Sequence, residues 1–277
     1  MKKQRLALLA LLASTLLSGC AIETAPAPQG RSGDQLNFSG RIWTVKGGTE
    51  QFGPGPNYFS KDLRSAYLDD RGYLHLNIRK FNDNRWYCSE VISNDVVGYG
   101  RYVWVVESDM VNIPDNTVLG LFTWDNNTLV NEANSEVDIE FSRWGVAGDP
   151  KTLHMSVQPV WFGPFKAERT RGYQMPAAAA TTHTTHEFIW TDSLISWKSW
   201  LGDKSSDPPF ATWEFDLNNP ARVKEEGGIT SRPIIIPAPG PTTNARINLW
   251  LVTNQATGPS TANDYEIVIR SFLYEPF

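Results

Sequence analysis

Ser135-Glu136-Val137-Asp138-Ile139-Glu140-Phe141 is the stretch on which the reading of the fold turns. In a β-strand, successive side chains point to opposite faces. Val137, Ile139 and Phe141 then form one face, apolar as a half-buried strand requires. Glu136, Asp138 and Glu140 form the other. Like charges stacked on one strand repel, so a fold tolerates them most readily where the carboxylates do chemical work.

The sequence on either side has the same character. Upstream, Tyr73 to Arg79 alternates cleanly after an Asp69–Gly72 turn, and 99–106 and 118–124 are rich in β-branched and aromatic residues. Downstream, 153–157, 187–190, 194–197, 247–253 and 265–274 read the same way. The one helix-friendly run, Ala177 to Ala180, is held to a turn by Pro176 and the Thr residues that follow. About a dozen short strands without a sustained helical period predict an all-β sandwich or jelly roll. The Pro-rich stretch 202–246 reads as long surface loops around one short strand at 213–215, either framing a cleft or forming a solvated insertion.

The 277 residues include 41% hydrophobic and 12% aromatic residues, ample for a buried core, and most of the eleven Trp are expected in it. At the N-terminus, Lys2, Lys3 and Arg5 precede an apolar run from Leu6 to Leu17, too short to span a bilayer. Leu17-Ser18-Gly19-Cys20 resembles a bacterial lipobox, which implies cleavage before Cys20 and its lipidation; the alternative is an ordinary signal peptide. The expected organisation is a signal peptide over 1–19, a lipidated flexible tether over 20–36 and one domain over 37–277. The protein is then expected as an exported lipoprotein of the cell envelope, held to the membrane through Cys20. Removing residues 1–19 takes away three of 25 basic residues and none of 30 acidic ones, leaving a net charge of about −8. That balance speaks against nucleic acid or a polybasic membrane contact. Cys88 is the remaining thiol, so no disulfide within the chain and no Cys-based metal site is expected. His75, His154, His183 and His186 lack metal-ligand spacing.

Two carboxyl groups flanking a scissile bond are what glycoside hydrolysis requires, about 5–5.5 Å apart when configuration is retained. The Cα atoms of Glu136 and Glu140 are expected roughly 13 Å apart on a flat strand. Inward-leaning side chains on a twisted strand narrow that gap. Asp138 between them orients one carboxylate and raises the pKa of the other by repulsion. The pattern alone also fits an acidic strand facing solvent or a bound cation.

The surroundings carry a resemblance. Cys88-Ser-Glu90-Val-Ile-Ser93, then Val97-Gly-Tyr99-Gly100, then Gly120-Leu-Phe-Thr-Trp124, then the acidic strand, His186 to Trp197, Arg246-Ile-Asn-Leu-Trp250 and 266–274 follow one another in an order similar to glycoside hydrolase family 16. That family is the laminarinase, lichenase and xyloglucan transglycosylase group, and the resemblance spans most of residues 50–277. It implies a β-jelly roll of two curved antiparallel sheets with a sugar cleft on the concave face. It also implies Glu136 as nucleophile, Asp138 as its helper and Glu140 as acid/base, in the unbulged lichenase-like branch. By position it implies Asn57 and Glu90 as sugar contacts. Gln158, in the strand after the acidic one, is a further cleft candidate, and Trp124 or Trp161 either restores a stacking platform or belongs to the core.

The departures are local. Ile92 stands where the lichenase-like pattern has Arg, Asn134 where it has Trp, and Tyr58 where the disulfide partner of Cys88 would be, which implies a buried free thiol. These touch the substrate subsites and not the Glu pair. The expectation is therefore a monomeric retaining endo-β-glycosidase or transglycosylase acting on a β-glucan-like polysaccharide, without a cofactor. A structural calcium occurs on the convex side in relatives, but its ligands cannot be traced in this chain. Two alternatives are a carbohydrate-binding lipoprotein on the same scaffold and a structural envelope protein.

Overall fold

The computed structural model describes residues 31–128, 133–160, 169–204, 208–216, 236–253 and 255–277. The lipobox with Cys20, and Trp161, lie outside the described residues.

Period-two patterning becomes two antiparallel sheets. The front sheet runs, neighbour to neighbour, Arg31–Ser32, Gln35–Phe38, Arg41–Val45, Trp86–Ser93, Asn244–Leu251, Thr117–Trp124, Val137–Phe141, Lys151–Val157 and Thr170–Gln174. The back sheet runs Ala66–Leu68, Leu74–Lys80, Tyr265–Pro276, Gly100–Val106, Thr184–Trp190, Leu194–Leu201 and Ala211–Asp216. Trp86–Ser93 also pairs with Leu74–Lys80 and, in parallel, with Asn57–Phe59, which joins the two sheets along one edge.

The core lies between the sheets. Val137, Ile139 and Phe141 are fully buried there, as are Leu119, Leu121 and Leu249 beside them. From the back sheet come Tyr102, Trp104, Phe188 and Trp197, also fully buried. Two contacts tie the back sheet to the acidic strand. The ring of Phe141 meets His186 edge-on at 4.8 Å, and the Trp197 indole donates to the Asp138 carbonyl at 3.1 Å. His186 is buried with its ring nitrogens on the Ser199 and Thr184 hydroxyls, and burial pushes its pKa down to about 3, so it is neutral. Of the Trp residues described, seven are buried; Trp124, Trp144 and Trp250 are half-buried.

The structure corrects three expectations. The tether does not reach residue 36: Leu36 is fully buried, and the Arg31 guanidinium donates to the Lys61, Asp62 and Ala66 carbonyls, which binds 31–36 to the domain. The acidic strand begins at Val137, because Ala133, Asn134 and Ser135 form a turn with positive φ. The end of the Pro-rich stretch is not a solvated insertion: Ile236 packs in the core, and the Pro237 carbonyl accepts the Trp190 indole N–H at 2.9 Å. The Ala177–Ala180 stretch is a single 3-10 turn, as expected.

Candidate active site

Register places the acids. Gly120 lies opposite both Glu140 and Asn248, and Asn248 opposite Glu90, so one row across the front sheet reads Glu90, Asn248, Gly120, Glu140, His154. The adjacent row reads Ile92, Arg246, Phe122, Asp138, Ser156. The outward face of both rows opens into a cleft of about 540 Å3. Glu136, Asp138 and Glu140 line it together with Glu90, Arg246 and Trp124. The loop carrying Lys46, Phe52 and Pro54 forms one wall, and Trp250 also lines the cleft. The alternation read in the sequence thus separates core from cleft across the whole acidic stretch.

Glu136 precedes the strand by one residue, yet its carbonyl continues the ladder by accepting the Gln158 N–H at 3.1 Å. The left-handed turn before it is fixed by side chains. Thr123 Oγ1 donates to the Ser135 carbonyl at 2.8 Å, and Ser135 Oγ donates to the Ala238 carbonyl at 2.7 Å. Asn134 is buried, with its amide on the Asp125 carbonyl at 2.9 Å. It holds this turn and offers no platform for a sugar.

The electrostatics follow from crowding three carboxyls in a cleft. Burial raises the Glu136 pKa well above the ordinary carboxylate range, and Asp138 and Glu140 raise it further by repulsion; Arg246 opposes the rise. Asp138 is buried, and burial lifts it to about 7 against the Gln158 amide, which donates to Oδ2 at 3.1 Å. Glu136 and Asp138 hydrogen-bond side chain to side chain. Two carboxyls this close and this buried favour holding a proton over carrying two charges.

A carboxyl raised from 3.8 to about 7 favours the native state most below its unfolded value, and this contribution is lost as pH rises through 7. Above pH 7 the buried charge costs on the order of 4 kcal/mol. Asp138→Asn should therefore melt several degrees above wild type at pH 8, with the gap closing toward pH 5 in parallel thermal melts. A gap independent of pH would contradict the shift.

Glu90 is buried and lines the cleft, but its carboxylate is held by Lys46 at 2.7 Å and Arg246 at 3.3 Å. Trp124 lines the cleft half-buried, with its indole N–H on Asn126 Oδ1 at 2.7 Å. Gln158 touches Asp138 and positions it. Asn57 is corrected as a sugar contact. Its side chain is buried, its amide donates to the Pro54 and Leu251 carbonyls at 2.9 Å each, and its oxygen accepts from the Cys88 thiol at 3.4 Å. It buttresses the Pro54 wall instead. Cys88 is a buried free thiol, pushed up to about 12 by burial.

Sequence reading missed Arg246, Lys46, Phe52, Asn248 and Trp250 as cleft residues. Arg246, Asn248 and Trp250 alternate on one strand, a period-two signal that could have placed them on the cleft face. Nothing local marks Lys46 or Phe52, whose place depends on how the 46–59 loop folds back. Asn248 Oδ1 is buried without a partner among the described residues, beside the space that Gly120 leaves open, where a Cβ would come within 2.5 Å of it.

Asp125 anchors this end of the cleft. It is fully buried and accepts from the Asn127 and Thr242 amides and from the Thr242 and Thr243 hydroxyls. Burial raises its pKa, but those donors outweigh it and leave the carboxylate below its ordinary range. Its contribution is present above the unfolded value and is lost as pH falls. Asp125→Ala strands several donors and should cost roughly 3 kcal/mol at pH 7, a Tm drop of about 10 °C. Calorimetry should find that cost shrinking toward pH 3.

Comparison with known proteins gives the fold. No protein-family model matches the chain, and no curated protein sequence matches it. The structure is similar to the Bacillus licheniformis β-glucanase at 15% identity and a TM-score of 0.54, covering 89% of this chain and 100% of that one. The laminarinase from Flavobacterium sp. UMI-01 superposes with a TM-score of 0.57 at 11% identity, over 84% of this chain and 92% of that one. A glycoside hydrolase family 16 endo-glucanase from Bacteroides ovatus, in complex with G4G3G-2F-DNP, gives 0.55 at 14% identity, over 84% and 94%. The chain has the jelly-roll fold of these glucanases.

Proposed function

We propose that the protein is a retaining glycosidase acting on a β-linked polysaccharide, with Glu136 as nucleophile and Glu140 as acid/base. The observation that carries this reading is the placement of Glu136, Asp138 and Glu140 together on the wall of one open cleft, backed by a fully apolar strand face. A binding protein needs no such cluster, because three carboxyls in a cleft repel and desolvate one another without adding sugar contacts.

This reading implies the following steps. The Glu136–Asp138 pair carries one negative charge when it shares a proton. With that proton on Asp138, the Glu136 carboxylate accepts its hydrogen bond and attacks the anomeric carbon. Glu140 protonates the leaving glycosidic oxygen. The same residue then takes a proton from water, or from an acceptor sugar hydroxyl, as it attacks the glycosyl–enzyme bond. Gln158 and the Trp197 indole hold Asp138 by side chain and backbone. Trp124 and Trp250 supply flat apolar faces on which sugar rings stack. The glucanases of the same fold support a β-glucan as the first substrate to try. The lipobox resemblance supports an envelope-anchored protein meeting that polymer outside the cytosol.

The test is reducing-sugar release across β-glucans, galactans and xyloglucan, with Glu136→Gln as control. Release from at least one polymer by wild type alone is expected. Retained pull-down of a polymer without release from any would favour the carbohydrate-binding reading.

A further inference from the structure

Arg246 and Ile92 are cross-strand partners on the front sheet, and both line the cleft. Side chains directly opposite on one face have Cβ atoms about 4.5–5.5 Å apart, so either position delivers a long side chain to the same part of the cleft. Ile92 brings no charge to that part of the cleft, and the guanidinium comes from the adjacent strand.

Its direction is fixed by three contacts. Nε donates to Asn244 Oδ1 at 2.8 Å, Nη1 donates to Glu90 Oε1 at 3.3 Å, and the guanidinium carbon lies 5.6 Å from the Trp124 ring centre. The head therefore spans the Phe122 row, with Nη1 toward the Glu90 row on one side and Nε with the guanidinium carbon toward Asn244 and Trp124 on the other. Phe122 pairs with Asp138, and Trp124 lies two residues beyond it, as Glu136 lies two residues before Asp138. The Nε edge of Arg246 thus faces the end of the acid row that Glu136 occupies, while Nη1 stays on Glu90.

We propose that Arg246 is a positioning residue that keeps the Glu136 carboxylate charged, delivering from the neighbouring strand the cleft cation that Ile92 lacks. The proposal rests on the reading of Glu136 as nucleophile. Of the charged groups around Glu136 among the described residues, Asp138 and Glu140 beside it and Asp125 at the end of the neighbouring strand are acids. On the other side, His154 stands opposite Glu140, and Arg169 is committed to the Val157 and Gln158 carbonyls. Lys46 shares the Glu90 carboxylate with Arg246 and also donates to the Gly53 carbonyl at 2.6 Å. Among the described residues, Arg246 is a cation whose attraction offsets the rise in Glu136. Burial lowers its own pKa, and Glu90 and Glu136 counter that, so each charge supports the other.

The test follows the Glu136 carboxyl directly, by NMR titration of the mature chain with 13C-labelled glutamate, the signal assigned by its loss in Glu136→Gln. Arg246→Met should raise the Glu136 midpoint by about one pH unit or more, and the acidic limb of kcat/KM should move up with it. Arg246→Gln, which retains amide donors for Asn244 and Glu90 without the charge, should shift it as well. Arg246→Lys and the transposed pair I92R/R246M should return the midpoint to within a few tenths of wild type. A midpoint unmoved in Arg246→Gln and Arg246→Met would overturn the proposal, and so would a transposed pair that titrates like Arg246→Met. The titration needs no turnover. A wild type that cleaves no polymer therefore sinks the nucleophile reading alone, and an unmoved midpoint in an active enzyme sinks only the role of Arg246.

Discussion

Glu136→Gln is expected to lower kcat by about 10^4-fold or more on any polymer the wild type cleaves, with KM changed little. The amide keeps the shape and the hydrogen bond to Asp138 but presents no anionic oxygen to the anomeric carbon. Its effect on stability should have the opposite sign. Burial and the nearby Asp138 and Glu140 charges raise the Glu136 pKa, so neutralising it relieves repulsion and burial cost at neutral pH. The variant should melt at or above the wild-type temperature at pH 8. Loss of turnover with gained stability separates a functional carboxylate from a structural one, since a structural carboxylate would lose both. Steady-state kinetics and a thermal melt on the same preparation check it.

Glu140→Gln is expected to cost between about 10^2 and 10^4 in kcat on the polymer, and the loss should depend on the leaving group. A sugar alkoxide leaves poorly without a proton, so the first step fails on natural linkages. A dinitrophenyl glycoside needs no proton to leave, so its first step should run near the wild-type rate. The glycosyl–enzyme then accumulates, because no base activates water. The expected signature is a burst of dinitrophenol close to one equivalent, followed by slow turnover that azide accelerates without needing a base. Equal losses on both substrates would place Glu140 outside the acid/base role.

The acidic strand was legible in the sequence because its period of two is short-range information. Each apolar residue of Val137, Ile139 and Phe141 reports its own face, and the burial of all three agrees. The two-sheet architecture was legible for the same reason, repeated over strand after strand. Strand pairing was not, and pairing decides the cleft. Arg246 reads locally as one residue of an apolar strand; only the register that sets it opposite Ile92 and beside Phe122 brings it toward the acids. Asn57 failed in the other direction. Its position in the pattern suggested a sugar contact, but one hydrogen bond reaches across 194 residues to the Leu251 carbonyl and takes its amide out of reach. The onset of the strand was misplaced by two residues because the positive φ of Asn134 and Ser135 is imposed by partners at Asp125, Thr123 and Ala238, which no local propensity encodes.

Double displacement by Glu136 and Glu140 from one cleft wall fixes which anomer is released first. Following the anomeric configuration of the first product by 1H NMR, on the polymer that gives the most reducing ends, tests it most directly. The mechanism predicts that the β-anomer appears first and mutarotates afterwards to the equilibrium mixture. An initial α-anomer, or the same rate of release from Glu136→Gln, would contradict it.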